Sequence, residues 1–186
     1  MSLNRKRPLI PSVEEFTALP RLAGMAFATR CVRRVVPIYR FAWPMAPMHH
    51  LTAVENAVRV VEENRSDLER SEAAFAAAAA ADAAARVSSG PAYDTARAAA
   101  RLAGSDSVSA AVFAIRGACD ALVRVATVTT PLTRQLRLVR RDFDRLVQLA
   151  KVNGWTDETL VSVEAFGKMW PGGGPEWWSS KPDLKS

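Results

Sequence analysis

The sequence predicts an all-α protein: a single bundle of five or six helices over residues 1–154, then a C-terminal strap and tail over residues 155–186 rich in Trp, Pro and Gly. Three observations lead there. Alanine, the strongest helix former, supplies much of the 49% hydrophobic content. Apolar residues recur at spacings of three and four, the period of one helix face. Several segments open with Ser or Thr followed three residues later by Glu, a capping box in which each side chain satisfies an N–H at the other's position. No run alternates apolar and polar residues for long enough to read as a strand.

The elements follow in order. Ser12 and Glu15 cap a first turn that Pro20 ends, or from which Pro20 starts the next helix, since proline is tolerated at the first helical position. A helix over 20–36 carries the stripe Leu22, Met25, Thr29, Val32 and Val36, and Pro37 should end or kink it, because proline removes a hydrogen bond and clashes with the preceding turn. Trp43, Pro44 and Pro47 form a rigid connector. Thr52 and Glu55 cap a helix over 51–63 with the stripe Val54, Val58 and Val61. Ser66 and Glu69 launch an alanine tract over 66–87, and Ser88 to Pro91 turn the chain into a short helix over 91–103 stopped by Gly104.

Asp106 or Ser107 caps the helix over 107–127, whose stripe is Val108, Val112, Ile115, Cys119, Leu122 and Ala126. Only Arg116, Asp120 and Arg124 break its apolar circumference, four apart on one face. A helix apolar nearly all round belongs in the middle of a bundle, so this one is expected to be the most buried. Thr130 and Pro131 start the last long helix, over 131–153, where Leu132, Leu136, Val139, Phe143, Leu146 and Ala150 give the cleanest heptad. Asn153 and Gly154 end it.

The 186 residues carry a net charge of +6, unevenly spread. Residues 1–50 hold eight basic and two acidic groups, residues 130–154 six and two, and residues 51–90 seven acidic against four basic. Cys31 and Cys119 sit inside apolar patterns and read as small hydrophobes. The basic start has no apolar stretch after it, as an export signal requires. The best membrane-span candidate, Val108 to Val128, is interrupted by Arg116, Asp120 and Arg124. The expected location is the cytoplasm, with no membrane partner.

No catalytic, cofactor or metal site emerges. His49 and His50 are adjacent, so on a helix they point about 100° apart and do not converge on one metal. Gly172 to Gly174 follows no strand and precedes no Lys-Ser/Thr, so it reads as a turn and not a phosphate loop. Glu62, Glu63, Asp67, Glu69 and Glu72 lack the Glu-x-x-His partner of di-metal bundles and read as a solvated face.

Two arginine stripes stand out: Arg30, Arg33 and Arg34 on the first long helix, and Arg134, Arg137, Arg141 and Arg145 on the last. Guanidinium forks suit phosphates or carboxylates. Together these residues form the candidate surface for nucleic acid, provided the two stripes share a face. Trp155, Phe166 and Trp170 are expected to return along the bundle. Trp177 and Trp178, past the Gly172–Pro175 turn, are expected to face a protein partner. Loss of the chain after Pro175 should then leave the bundle's stability unchanged, and the end from Lys181 to Ser186 has no anchor.

The segments FATRCVRR (Phe27 to Arg34), AVENAVRVVEE, the alanine tract and the closing GWTDETLVSVEAFGKMWP resemble alanine-rich, all-helical proteins of unknown function encoded in GC-rich bacterial genomes. That resemblance implies an all-helical fold and supplies no active site. The function expected from the sequence is a non-enzymatic helical protein-interaction module, an adaptor or assembly subunit. The alternative is a nucleic-acid-binding protein using the two arginine stripes.

Overall fold

A computed structural model describes residues 8–63, 72–104, 107–126 and 132–178. Among them every regular element is helical: α1 (Val13–Thr17), α2 (Arg21–Ala42), α3 (Met48–Glu63), α4 (Glu72–Val87), α5 (Gly90–Ala103), α6 (Val108–Val125) and α7 (Leu132–Asn153), with 3-10 turns at Val163–Phe166 and Glu176–Trp178. That is one or two helices more than the periodicity predicts, because the capped turn at Ser12 is a helix in its own right. None of these helices is long and apolar enough to cross a membrane.

The capping chemistry holds at the starts of α1 and α6. Ser12 Oγ accepts from the Glu15 N–H and Glu15 Oε2 accepts from the Ser12 N–H, a complete capping box. Ser107 Oγ accepts from the Ala110 N–H and starts α6. Thr52 caps nothing: α3 starts earlier, at Met48, because the Pro47 carbonyl already accepts from the N–H groups of His50 and Leu51. The caps expected at Ser66 with Glu69, at Asp106, and at Thr130 with Pro131 lie outside the described residues.

Pro37 does not end α2, which runs on to Ala42. An internal proline costs about 3 kcal/mol. Beyond it, Ile38 and Tyr39 are fully buried, each worth roughly 1.5–3 kcal/mol, and the Tyr39 hydroxyl donates to the Ala84 carbonyl of α4. Burial past the proline therefore offsets the broken helical ladder.

The centre of the bundle is also not where apolar content alone puts it. α2 packs against α1, α3, α5, α6 and α7, and α5 lies between α4 and α6 while touching α2 and α3. The helix expected to be most buried, α6, does bury Ile115 and Leu122, but leaves Phe113 55% and Val123 49% exposed. Side-chain size explains the correction. The packed face of α6 is small, with Ala110, Ala111, Ala114, Ala118 and Ala121, and it lets two backbones approach. Gly117 marks the closest point: a Cβ there would lie 3.2 Å from the Ala98 Cβ and 3.4 Å from the Asp94 carbonyl oxygen.

Larger side chains fill the seam where α1, α2 and α7 meet. Phe27 and Phe143 form an edge-on pair with centroids 5.3 Å apart, and Phe16 extends the cluster. On α7 the heptad predicted from sequence faces inward, with Leu136, Val139, Phe143, Leu146 and Ala150 buried. After Gly154, which has a φ of 61°, the Trp155 N–H donates back to the Ala150 carbonyl and turns the chain along the bundle. The returning strap adds Val161, Phe166, Trp170 and Trp177 to the same core.

Candidate functional site

Arg30 and Arg34 of α2 point towards α7 and the strap. Asp142 of α7 is completely buried, as is Arg34, whose Nη2 donates to Asp142 Oδ2 at 2.6 Å. Arg30, one turn earlier, donates through Nε to the same oxygen at 3.0 Å. Both guanidinium groups also reach the strap: Arg30 Nη2 donates to the Gly167 carbonyl at 2.9 Å, and Arg34 Nη2 to the Met169 carbonyl at 3.2 Å. Arg30 lies over the Phe166 ring at 5.4 Å and Arg34 over the Trp170 ring at 5.5 Å. Burial lowers the Arg30 pKa, an effect that the Asp142 charge opposes. One carboxylate and two strap carbonyls thus hold two cations, joining α2, α7 and the strap.

Arg33, on another side of α2, clamps α3. Its guanidinium donates to both oxygens of Glu62 and to Glu55. Burial pulls its pKa down, and the hydrogen bonds it donates to Glu62 with the two carboxylate charges outweigh that, so the net shift is upward. Glu62 is therefore a partner of α2, and Glu63 pairs with Arg59 along α3. Arg140, also buried, donates to Glu15 of α1 and to Asp144. Hydrogen bonding to Glu15 is the main reason its pKa rises above the usual arginine range.

Arg30, Arg33 and Arg34 are thus engaged inside the protein, and Arg34 reaches no surface. The second stripe differs. Arg134, Arg137, Arg141 and Arg145 are all exposed along one face of α7. Only Arg141 makes an ion pair among the described residues, with Asp142 Oδ1 at 3.4 Å. The two stripes do not form one continuous face: the α2 set meets α7 through Asp142, beneath the exposed row.

The tail also departs from expectation. Trp177 is only 2% exposed, packed edge-on against Trp170 at 6.3 Å and near Phe41 at 6.5 Å. It is a core residue of this chain and not a partner contact. Trp178 leaves the same 3-10 turn in another direction and is half-buried, edge-on to Trp170 at 5.9 Å. Lys181 to Ser186 lie outside the described residues.

Trp178 forms one wall of a groove of about 580 Å³ between the C-terminal half of α2 and α3. Val36, Pro37, Met48 and Leu51 make its apolar floor, with Arg33, Arg40, Glu55 and Arg59 around the rim. At the α2–α3 connector, Phe41, Met45 and Met48 are exposed, Met45 by 87%. Arg40 has no acidic partner among the described residues. Sequence reading missed this groove. Its available signal was the pair of methionines set between Pro44 and His49, since methionine adapts to varied partners at exposed binding surfaces.

His49 and His50 contact one another, and His50 stacks on Trp43. Among the described residues no three His, Cys, Asp or Glu side chains come together as a metal would need. Cys31 and Cys119 are free and buried, and burial pushes both thiols up, Cys119 to about 12. The native thiols are therefore expected to ignore DTNB at pH 8 and both to react in 6 M guanidinium. Because the Cys119 pKa is raised from an ordinary value near 9, its contribution to stability is complete below pH 9 and is lost as pH rises towards 12. A thermal melt across that window checks the sign.

Comparison with protein-family models, with curated proteins and with solved structures finds no match to this chain.

Proposed function

We propose that this chain is a non-enzymatic helical interaction module of the cytoplasm, an adaptor or assembly subunit that docks a partner segment in the α2–α3 groove. The groove carries the reading: an apolar floor of Val36, Pro37, Met48 and Leu51 is walled by a half-buried tryptophan and ringed by polar groups. That combination of an apolar centre and a charged rim is the anatomy of a docking site. The segment it fits is short and amphipathic, with apolar side chains for the floor and a carboxylate for Arg40.

Selection of displayed random 12-residue peptides on the full chain tests the proposal. Enriched peptides should be apolar with an acidic flank. Their affinity should fall at least about tenfold on Leu51→Glu, which buries a charge under the ligand, and also on Trp178→Ala. Circular dichroism melts of both variants establish that the bundle persists. Failure to enrich, or peptides that bind Leu51→Glu as well as the parent, would rule out the groove.

A further inference from the structure

The groove leaves unexplained the exposed basic row on α7. Positions 134, 137, 141 and 145 are spaced by three, four and four, so their side chains fall within a sector of about 80° and span about 16 Å along the axis. Most arginines elsewhere among the described residues are paired with carboxylates, and those that are not, Arg21, Arg40, Arg101 and Arg116, do not recur at successive turns of one helix. Arg30 and Arg34 share Asp142, Arg33 holds Glu55 and Glu62, Arg59 holds Glu63, Arg86 and Arg97 meet Asp82, Arg124 meets Asp94, and Arg140 takes Glu15 and Asp144. Arg134, Arg137 and Arg145 have no such partner among the described residues. The single carboxylate near Arg141, Asp142, is already held by two buried cations.

We infer that the α7 face binds the phosphate backbone of a nucleic-acid duplex without reading its sequence. Four aligned guanidinium forks over about 16 Å face roughly five phosphates of one strand, whose charges repeat every 3.4 Å along the axis. No aromatic side chain interleaves with the row, so it lacks the stacking platforms of a single-strand binder. The strap runs alongside α7, with Gly167 next to Arg145 and Gly172 next to Arg134. A Cβ at Gly167 would lie 3.3 Å from Arg145 Nη1, and this glycine has a φ of 68°, so the strap backbone hugs the arginine it flanks. So flanked, α7 does not project as a recognition helix. Its contacts are those that position a protein on DNA and carry no base information. A membrane surface fits less well, since a helix that lies in lipid needs an apolar face beside its cations, and the apolar face of α7 is spent on the core.

The test is fluorescence anisotropy of the full chain with a fluorescein-labelled 20-bp duplex at 50–200 mM salt. Four phosphate contacts give a log–log salt slope of about −3.6 and a loss of affinity of about 100-fold over that range. Arg137→Gln with Arg141→Gln should halve the slope, so that the loss shrinks to about tenfold. Arg86→Gln with Arg124→Gln removes the same charge from arginines already paired on α4 and α6, and should leave the slope as it was. All four side chains are at least partly exposed, and melting curves report that each variant folds. The inference is overturned by absent binding at 50 mM salt, by equal slopes in the two double variants, or by capture of phosphatidylserine vesicles in place of the duplex. Because the row and the groove lie on different helices, Leu51→Glu should leave duplex binding intact, and the two readings fail separately.

Discussion

A chain ending at Gly154 is expected to lose cooperative melting altogether. It lacks Phe166, Trp170 and Trp177, all of which pack in the core, along with Val161. Deleting a buried aromatic costs about 3–5 kcal/mol, so three of them approach the whole stability of an ordinary domain, about 5–15 kcal/mol. The same cut removes the carbonyls of Gly167 and Met169 and leaves Arg30 and Arg34 short of acceptors. A chain ending at Pro175 keeps those groups and loses only the last two indoles. It should still fold, with a melting temperature lower by roughly 10 °C, since about 3–5 kcal/mol is removed at about 2–4 °C per kcal/mol. Calorimetry on the three lengths decides the matter. If the chain ending at Pro175 melts like the parent, Trp177 does not do what its burial implies.

Replacing Asp142 by Ala should cost about 3–5 kcal/mol, the penalty for leaving a buried cation unpaired. Arg34 has no route to water, because its side chain is fully enclosed between α2, α7 and the Trp170 ring. Removing both charges is a different matter. Arg34→Met combined with Asp142→Leu keeps apolar volume and removes the need for compensation, so it should recover a large part of the loss. Guanidinium unfolding of the two single variants and the double variant closes the cycle. A purely additive result, with no coupling between the two positions, would show that the ion pair does not join these helices.

What could be read from the sequence follows from what is local. The α7 heptad and the Ser12 capping box are set by residues three or four apart, and both appear in the structure as read. The interior place of α2 and α5 was not readable, because counting apolar residues ignores size. Phe113 and Val123 raised the apparent hydrophobicity of α6 while facing outward, whereas the alanines of α5 disappear between two neighbours. The fate of each arginine was the least accessible. Arg34 and Asp142 are 108 residues apart, and nothing near Arg34 in sequence distinguishes it from the exposed Arg141. Trp177 and Trp178 were read alike because they are adjacent. In a 3-10 turn successive side chains are rotated by about 120°, so one entered the core and the other lines the groove.

The position of α2 at the hub has a consequence for synthesis. All its packing partners but α1 are made after it, and the strap carbonyl that accepts from Arg34 lies 135 residues downstream. At about 5–20 residues per second, a ribosome needs roughly 7–27 s to bridge that gap. For most of that interval Phe27 has been translated while Phe143 of α7, against which its ring packs, has not. The nascent chain therefore passes through a stage in which its hub helix is only partly covered, and a chaperone able to hold such a helix would find its substrate there, on the ribosome, and not in the finished protein.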